Sequence, residues 1–304
     1  MFVNAIRIVE GFTRPIRMIS RNYGSGVVTP GAGTMFFVNE EGYAVTCAHV
    51  AREIVHADEM NRKYRTFRAE TASLKKDGRY QSEMRLAEKR YGLQKDKCAQ
   101  MKFAYDGVGA FESITITVSG KYDIAILKFN ELKGGAYTGH AVFAKDNSLI
   151  EPGKMMCRLG FPFPEFSNFT YDAGRDDILW TEEGKRQTPR FPIEGMITRH
   201  IADQEGQITG IELSTPGLRG QSGGPLFAEN GVIYGMQSST HHLYLGFDIH
   251  EKRKIGGREE MVNNQPFLHV GQCVHLDVIK QFLDENHIRY YVGDSIENAQ
   301  AVQK

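Results

Sequence analysis

Cysteine is scarce in this 304-residue chain. The four present (Cys47, Cys98, Cys157 and Cys273) are widely spaced, with no CxxC pair. That excludes a disulfide-dense small scaffold. The thiols read as reduced, mostly buried small apolar residues. An excess of either charge is also missing, since Lys+Arg and Asp+Glu stand at 37 each. Bulk charge therefore points to no nucleic acid and no membrane surface as partner. No apolar run is long enough to cross a bilayer. The N-terminal stretch MFVNAIRIVE is interrupted by Asn4, Arg7 and Glu10, so it lacks the core of an export signal. A cytoplasmic location is the expectation. His241, His242 and His250 come without the spacing of a zinc site. They read as surface or loop histidines, and no metal or cofactor is expected.

The composition that remains, 41% apolar and 24% charged, is that of a globular protein with ample core. Loose alternation in residues 1–20 suggests a first strand. Gly33 to Val38 and Tyr43 to Thr46 flank a tight turn and read as a hairpin that delivers His49 at its end. From 51 to 105 the texture changes: proline vanishes and Ala, Glu, Lys, Arg, Leu and Met dominate. One or two amphipathic helices are expected there, turning near Asp77-Gly78. This segment holds 14 Lys/Arg against 8 Asp/Glu, an excess of six positive charges. It reads as a solvated helical appendage, with a docking surface as the alternative.

Short strands with Gly/Pro turns follow. They include Phe111 to Val118, a run from Lys121 to Phe129 with Asp123 near its start, Ala141 to Phe143, and Met155 to Gly160. Residues 167–192 read as a long polar loop holding Trp180. Ile193 to Ile197, Gln207 to Leu213 and Gly231 to Gln237 are further strands, and 251–265 reads as a charged loop. Asp277 is placed to cap an amphipathic helix over 278–283. The last dozen residues read as a frayed tail.

One stretch resists explanation as packing: Gly220-Gln221-Ser222-Gly223-Gly224-Pro225. Clustered glycines cost backbone entropy and mark unusual dihedrals or close backbone approach. A nucleophilic serine needs both, for presentation on a tight turn and for amides aimed at an oxyanion. His49, Asp123 and Ser222 occur in one of the known chain orders of a Ser-His-Asp triad. A histidine can take the serine proton, and an aspartate can fix its tautomer. The N–H groups of Gly220 and Ser222 are the candidate oxyanion hole. Cys47 lies beside the candidate base and reads as packing.

Here a resemblance becomes specific. Thr46-Cys47-Ala48-His49-Val50, Asp123-Ile124-Ala125-Ile126-Leu127 and Gly220 to Pro225 resemble the three catalytic segments of trypsin-like serine proteases. Gly31 to Thr46, Leu159 to Pro162, Gly195 to Thr198 and Ser222 to Gly235 are similar to segments of the HtrA/Deg branch. The resemblance implies an all-β chymotrypsin/trypsin-like fold of two six-stranded β-barrels, here with a helical insertion and a C-terminal helix. The first half would span 1–145 with the insertion at about 51–105, the second 146–290, and 291–304 would be a flexible tail. It implies a serine endopeptidase acting through an acyl-enzyme on protein or peptide substrates.

The departures are informative. No PDZ domain is expected after residue 283, and the 73 residues between His49 and Asp123 exceed what the fold requires. Gln221 stands where secreted zymogens carry the aspartate that pairs with a cut N-terminus, so activation of that kind is rejected. The primary pocket is expected to be walled by 214–218 and 235–238, with Leu218, Gly235, Met236 and Gln237 as candidates. They offer no aspartate of the trypsin kind and suggest a small or modest apolar preference. The alternative function is a protease-fold binding module, its insertion 51–105 capturing a regulatory partner. In either case activity is expected to be gated by a partner or by loops.

Overall fold

The chain opens on a helix, not the expected strand. In this computed structural model, which describes residues 1–74, 77–135 and 137–303, Val3–Glu10 forms α1. Phe2, Ala5 and Val9 recur at helical spacing, and all three are buried against the core. Strand β1 (Thr13–Asn22) begins only after Gly11. The predicted hairpin is present as β2 (Val28–Phe37) and β3 (Tyr43–Thr46). Next come α2 (Ala48–Ala72) and α3 (Tyr80–Tyr91), which pack together as the expected helical hairpin. Lys75 and Lys76, within the insertion, lie outside the described residues. The insertion is not helical throughout: its last part is β4 (Cys98–Tyr105), paired antiparallel with β1. With β5 (Ser113–Val118) and β6 (Ala125–Asn130) this completes a six-stranded sheet in the order β4-β1-β2-β3-β6-β5. Its two ends meet through side chains, where Tyr105, Phe111 and Phe129 pack edge to face with ring centroids 5.0–5.9 Å apart.

The second half runs β7 (Val142–Phe143), β8 (Met155–Gly160), β9 (Phe169–Asp172), β10 (Asp177–Trp180), β11 (Phe191–Ala202), β12 (Ile208–Leu213) and β13 (Pro225–Phe227). It continues with β14 (Ile233–Tyr244), β15 (Ile249–Ile255), β16 (Arg258–Asn264), β17 (Phe267–His275), α4 (Leu276–Glu285), β18 (Tyr290–Val292) and β19 (Gln300–Val302). The pairing β13-β8-β11-β12-β17-β14 returns to β13, so six strands close a ring. The two-barrel, mostly β architecture is therefore that of the chymotrypsin-like fold.

Four local expectations need correction. The polar 167–192 stretch contains the hairpin β9–β10, whose Phe169 and Trp180 pack with buried Phe166. The charged 251–265 stretch is the hairpin β15–β16, in which Arg253 faces Glu260 and Lys254 faces Glu259 across the strands. Residues 291–304, read as a flexible tail, supply β19, which pairs with β18 on the sheet. At α4 the N-cap is His275, whose Nδ1 accepts from Asp277 N–H at 3.2 Å; Asp277 lies inside the helix.

Candidate active site

The hairpin β2–β3 places Cys47 as the N-cap of α2 and His49 in the first turn of that helix. Helix N-termini leave backbone N–H groups without intrahelical partners. Asp123, just before β6, answers one of them: its Oδ1 accepts His49 N–H at 3.0 Å. The same carboxylate accepts from His49 Nδ1 at 2.9 Å through Oδ2 and from Ser238 Oγ at 2.5 Å. Burial alone raises the Asp123 pKa. The His49 side chain, the Ser238 hydroxyl and the His49 amide more than offset it and hold the carboxyl well below its usual range. An ionised Asp123 on Nδ1 assigns that nitrogen the proton and leaves Nε2 free to accept one. The imidazole is half exposed, open to a substrate.

Ser222 sits on the loop between β12 and β13, whose glycines do what such a cluster should. Gly220 has φ +90° and Gly223 φ +89°. A Cβ at Gly223 would lie 2.0 Å from the Thr34 carbonyl, and one at Gly220 2.5 Å from that of Phe161. Thr34 on β2 clamps this loop from the other barrel. Its N–H donates to the Ser222 carbonyl at 3.0 Å, and its Oγ1 donates to the Gly220 carbonyl at 2.6 Å. The buried Gln221 amide ties the loop from within, accepting from Leu218 N–H at 3.0 Å and donating to the Phe191 carbonyl at 3.1 Å. Among the described residues, the N–H groups of Gly220 and Ser222 have no backbone or side-chain acceptor. Both are thus left unused as donors among those residues.

The structure joins His49 to Asp123 directly, and Ser222 to that pair by one further link. Ser222 Oγ donates to the Ser238 carbonyl at 3.2 Å, and Ser238 Oγ is on Asp123. No hydrogen bond joins Ser222 to His49 among the described residues. Such contacts are often long before substrate binds. Cys47 Sγ donates to the Gln237 carbonyl at 3.2 Å, and burial, with Asp123 adding, pushes its pKa well up. It is a packed, neutral thiol.

Of the pocket candidates, Leu218 is half buried and Gln237 fully so, both beside the loop. Met236 points the other way, into the hydrophobic core, because side chains alternate along β14. Gly235 backs onto the Val274 carbonyl. Sequence reasoning placed Ser238 only in a pocket wall and missed its bond to Asp123, and it missed the clamping role of Thr34. Their signals, a serine three residues after Gly235 and a threonine after Gly33, carry meaning only once both barrels are folded.

No curated protein gives a significant match to the chain. The model of one protein family does match, over residues 24–236, which takes in His49, Asp123 and Ser222 and is well over half the sequence. The chain belongs to the trypsin-like peptidase domain family.

Proposed function

We propose that the protein is a serine endopeptidase in which Ser222 attacks the scissile carbonyl, His49 carries its proton to the leaving amine, and Asp123 holds the imidazole. The observation that carries this reading is the Asp123 carboxylate, bonded at once to His49 Nδ1, His49 N–H and Ser238 Oγ. That arrangement fixes ring orientation and tautomer together and stabilises the imidazolium that forms during attack. The Gly220 and Ser222 amides would receive the oxyanion, a contribution of about 3 kcal/mol for a single donor. A fluorophosphonate probe tests the nucleophile. Wild type is expected to be labelled and Ser222→Ala not; labelling that survives the substitution refutes the assignment.

Gating belongs to the same proposal. His49 lies in the first turn of α2, and that helix runs on without a break to Ala72 in the basic insertion. A protein partner seated on the insertion would thus act on the base through a rigid element. The continuous helix supports a regulated peptidase; an HtrA-like type and a cytoplasmic location belong to the proposal through the sequence resemblance alone. The helix also leaves room for the second reading, capture of a partner with little constitutive activity. Steady casein cleavage by the isolated monomer would refute gating.

A further inference from the structure

The space behind the nucleophile loop, between residues 214–218 and β14, is where a protease of this family receives the side chain preceding the scissile bond. In this chain that space is filled by the protein itself. A Cβ on Gly217 would lie 2.3 Å from Gln237 Nε2, so the Gln237 amide rests directly on the Gly217 backbone. Gln237 is 2% exposed. Behind it lies Arg158 of β8, 0% exposed, whose Nη1 donates to Gln237 Oε1 at 2.5 Å. Its Nη2 donates to Thr215 Oγ1 at 2.6 Å and to the Thr215 carbonyl at 3.0 Å. At the mouth, Thr240 Oγ1 donates to the Gly217 carbonyl at 2.7 Å, strapping one wall to the other.

The plug is bonded in place. Gln237 Nε2 donates to the Ser239 carbonyl at 2.8 Å and to the Gln272 carbonyl at 3.3 Å, while Oε1 serves Arg158. Swinging it aside would strip an acceptor from a buried guanidinium whose hydrogen-bond acceptors here are all neutral. Leaving such groups unsatisfied is costly. Opening the space for a large side chain therefore carries a penalty that a small one avoids.

Resting on the peptidase reading, we propose that Gln237 and Thr240, backed by Arg158, close the primary subsite. The enzyme then accepts only Gly, Ala or Ser before the scissile bond and takes the rest of its selectivity from other contacts. Both walls meet before a longer side chain could enter. A pocket of fixed size separates neighbours by about 10- to 200-fold per methylene. Arg158 would attract an acidic side chain, but the Gln237 amide stands in front of it.

The test is a set of otherwise identical peptidyl phosphonates carrying Ala, Val, Phe, Lys or Glu at that position, run beside a fluorophosphonate that has no such side chain. Wild type is expected to react with the Ala reagent at least about tenfold faster than with any other. Thr240→Gly, which removes the strap but leaves Gln237 and the triad in place, is expected to narrow the Ala-to-Val ratio several-fold; because the ratio is taken within one enzyme, any change in overall reactivity cancels. Fluorophosphonate labelling with a preference for Phe, Lys or Glu overturns the closed subsite and leaves the peptidase reading standing. An unchanged Ala-to-Val ratio in Thr240→Gly, with a melting temperature like wild type, overturns the role of the strap. Absence of all labelling in wild type overturns both readings together.

Discussion

The two barrels solve the same closure problem by different means. In the second, β13 pairs on one side with β8 and on the other with β14, so the ring is sealed by backbone hydrogen bonds. In the first, β4 and β5 end the sheet, and side chains do the sealing. The aromatic trio of Tyr105, Phe111 and Phe129 bridges the ends from inside. From outside, α2 lies against both edge strands. Its Asn61 acts as a stand-in for a neighbouring strand: Nδ2 donates to the Met101 carbonyl at 2.5 Å and Oδ1 accepts Met101 N–H at 3.1 Å. An open edge is a liability unless covered or paired. The insertion that looks like an appendage in the sequence is thus the cover of the first barrel, and the same helix begins with His49. A backbone-sealed barrel carries the loop that needs fixed dihedrals; a helix-sealed barrel carries His49, the proposed base, in the first turn of the sealing helix.

The contrast can be broken most severely on the second side. Gly223→Ala puts a Cβ at φ +89° against the Thr34 backbone carbonyl and Thr46 Oγ1, at a point where the Thr34 N–H ties β2 to the Ser222 carbonyl. A loss of at least about 4 kcal/mol is expected in urea unfolding. On the first side, Asn61→Ala uncovers one N–H and one carbonyl of β4 and is expected to cost about 1–3 kcal/mol. Hydrogen exchange should then quicken at Met101 and spare β8 and β13. Equal quickening in both barrels would show that α2 is not the seal.

The smallest effect concerns Asp123, which joins the halves through His49 and Ser238. Its folded pKa is depressed, so its ionised form contributes stability that is fully present above the ordinary carboxylate value near 3.8. That contribution is lost as pH falls from there toward the folded value. Wild type should therefore lose melting temperature on acidification below about pH 4 more steeply than Asp123→Asn, and the two should run parallel above about pH 5. Parallel curves throughout would mean that the carboxylate gains nothing from its three donors.

How much was legible follows from where the information lies. The β2–β3 hairpin, the helical hairpin of the insertion and the tight glycine turn around Ser222 could be read because turn glycines, helix formers and alternation are local signals. Misreadings fell where local signals are mute. At α1 only two turns of helix carry the pattern. In β15–β16 both faces are exposed and charged, so alternation disappears. His275 caps α4 with a ring nitrogen, a role that residue type alone does not advertise.

What the sequence determined by itself is the set of candidate groups: a serine among clustered glycines, a histidine at a strand end, an aspartate before an apolar run, and Gln221 in place of an activating acid. Only the tertiary structure decided which groups hold those candidates in place. Ser238 reaches Asp123 across 115 positions, Thr34 reaches Gly220 across 186, and Arg158 reaches Gln237 across 79. The reason is physical: propensity and periodicity act over a few residues. A hydrogen bond between distant strands or between barrels exists only once the chain has folded, and no local pattern records which atoms will then face each other.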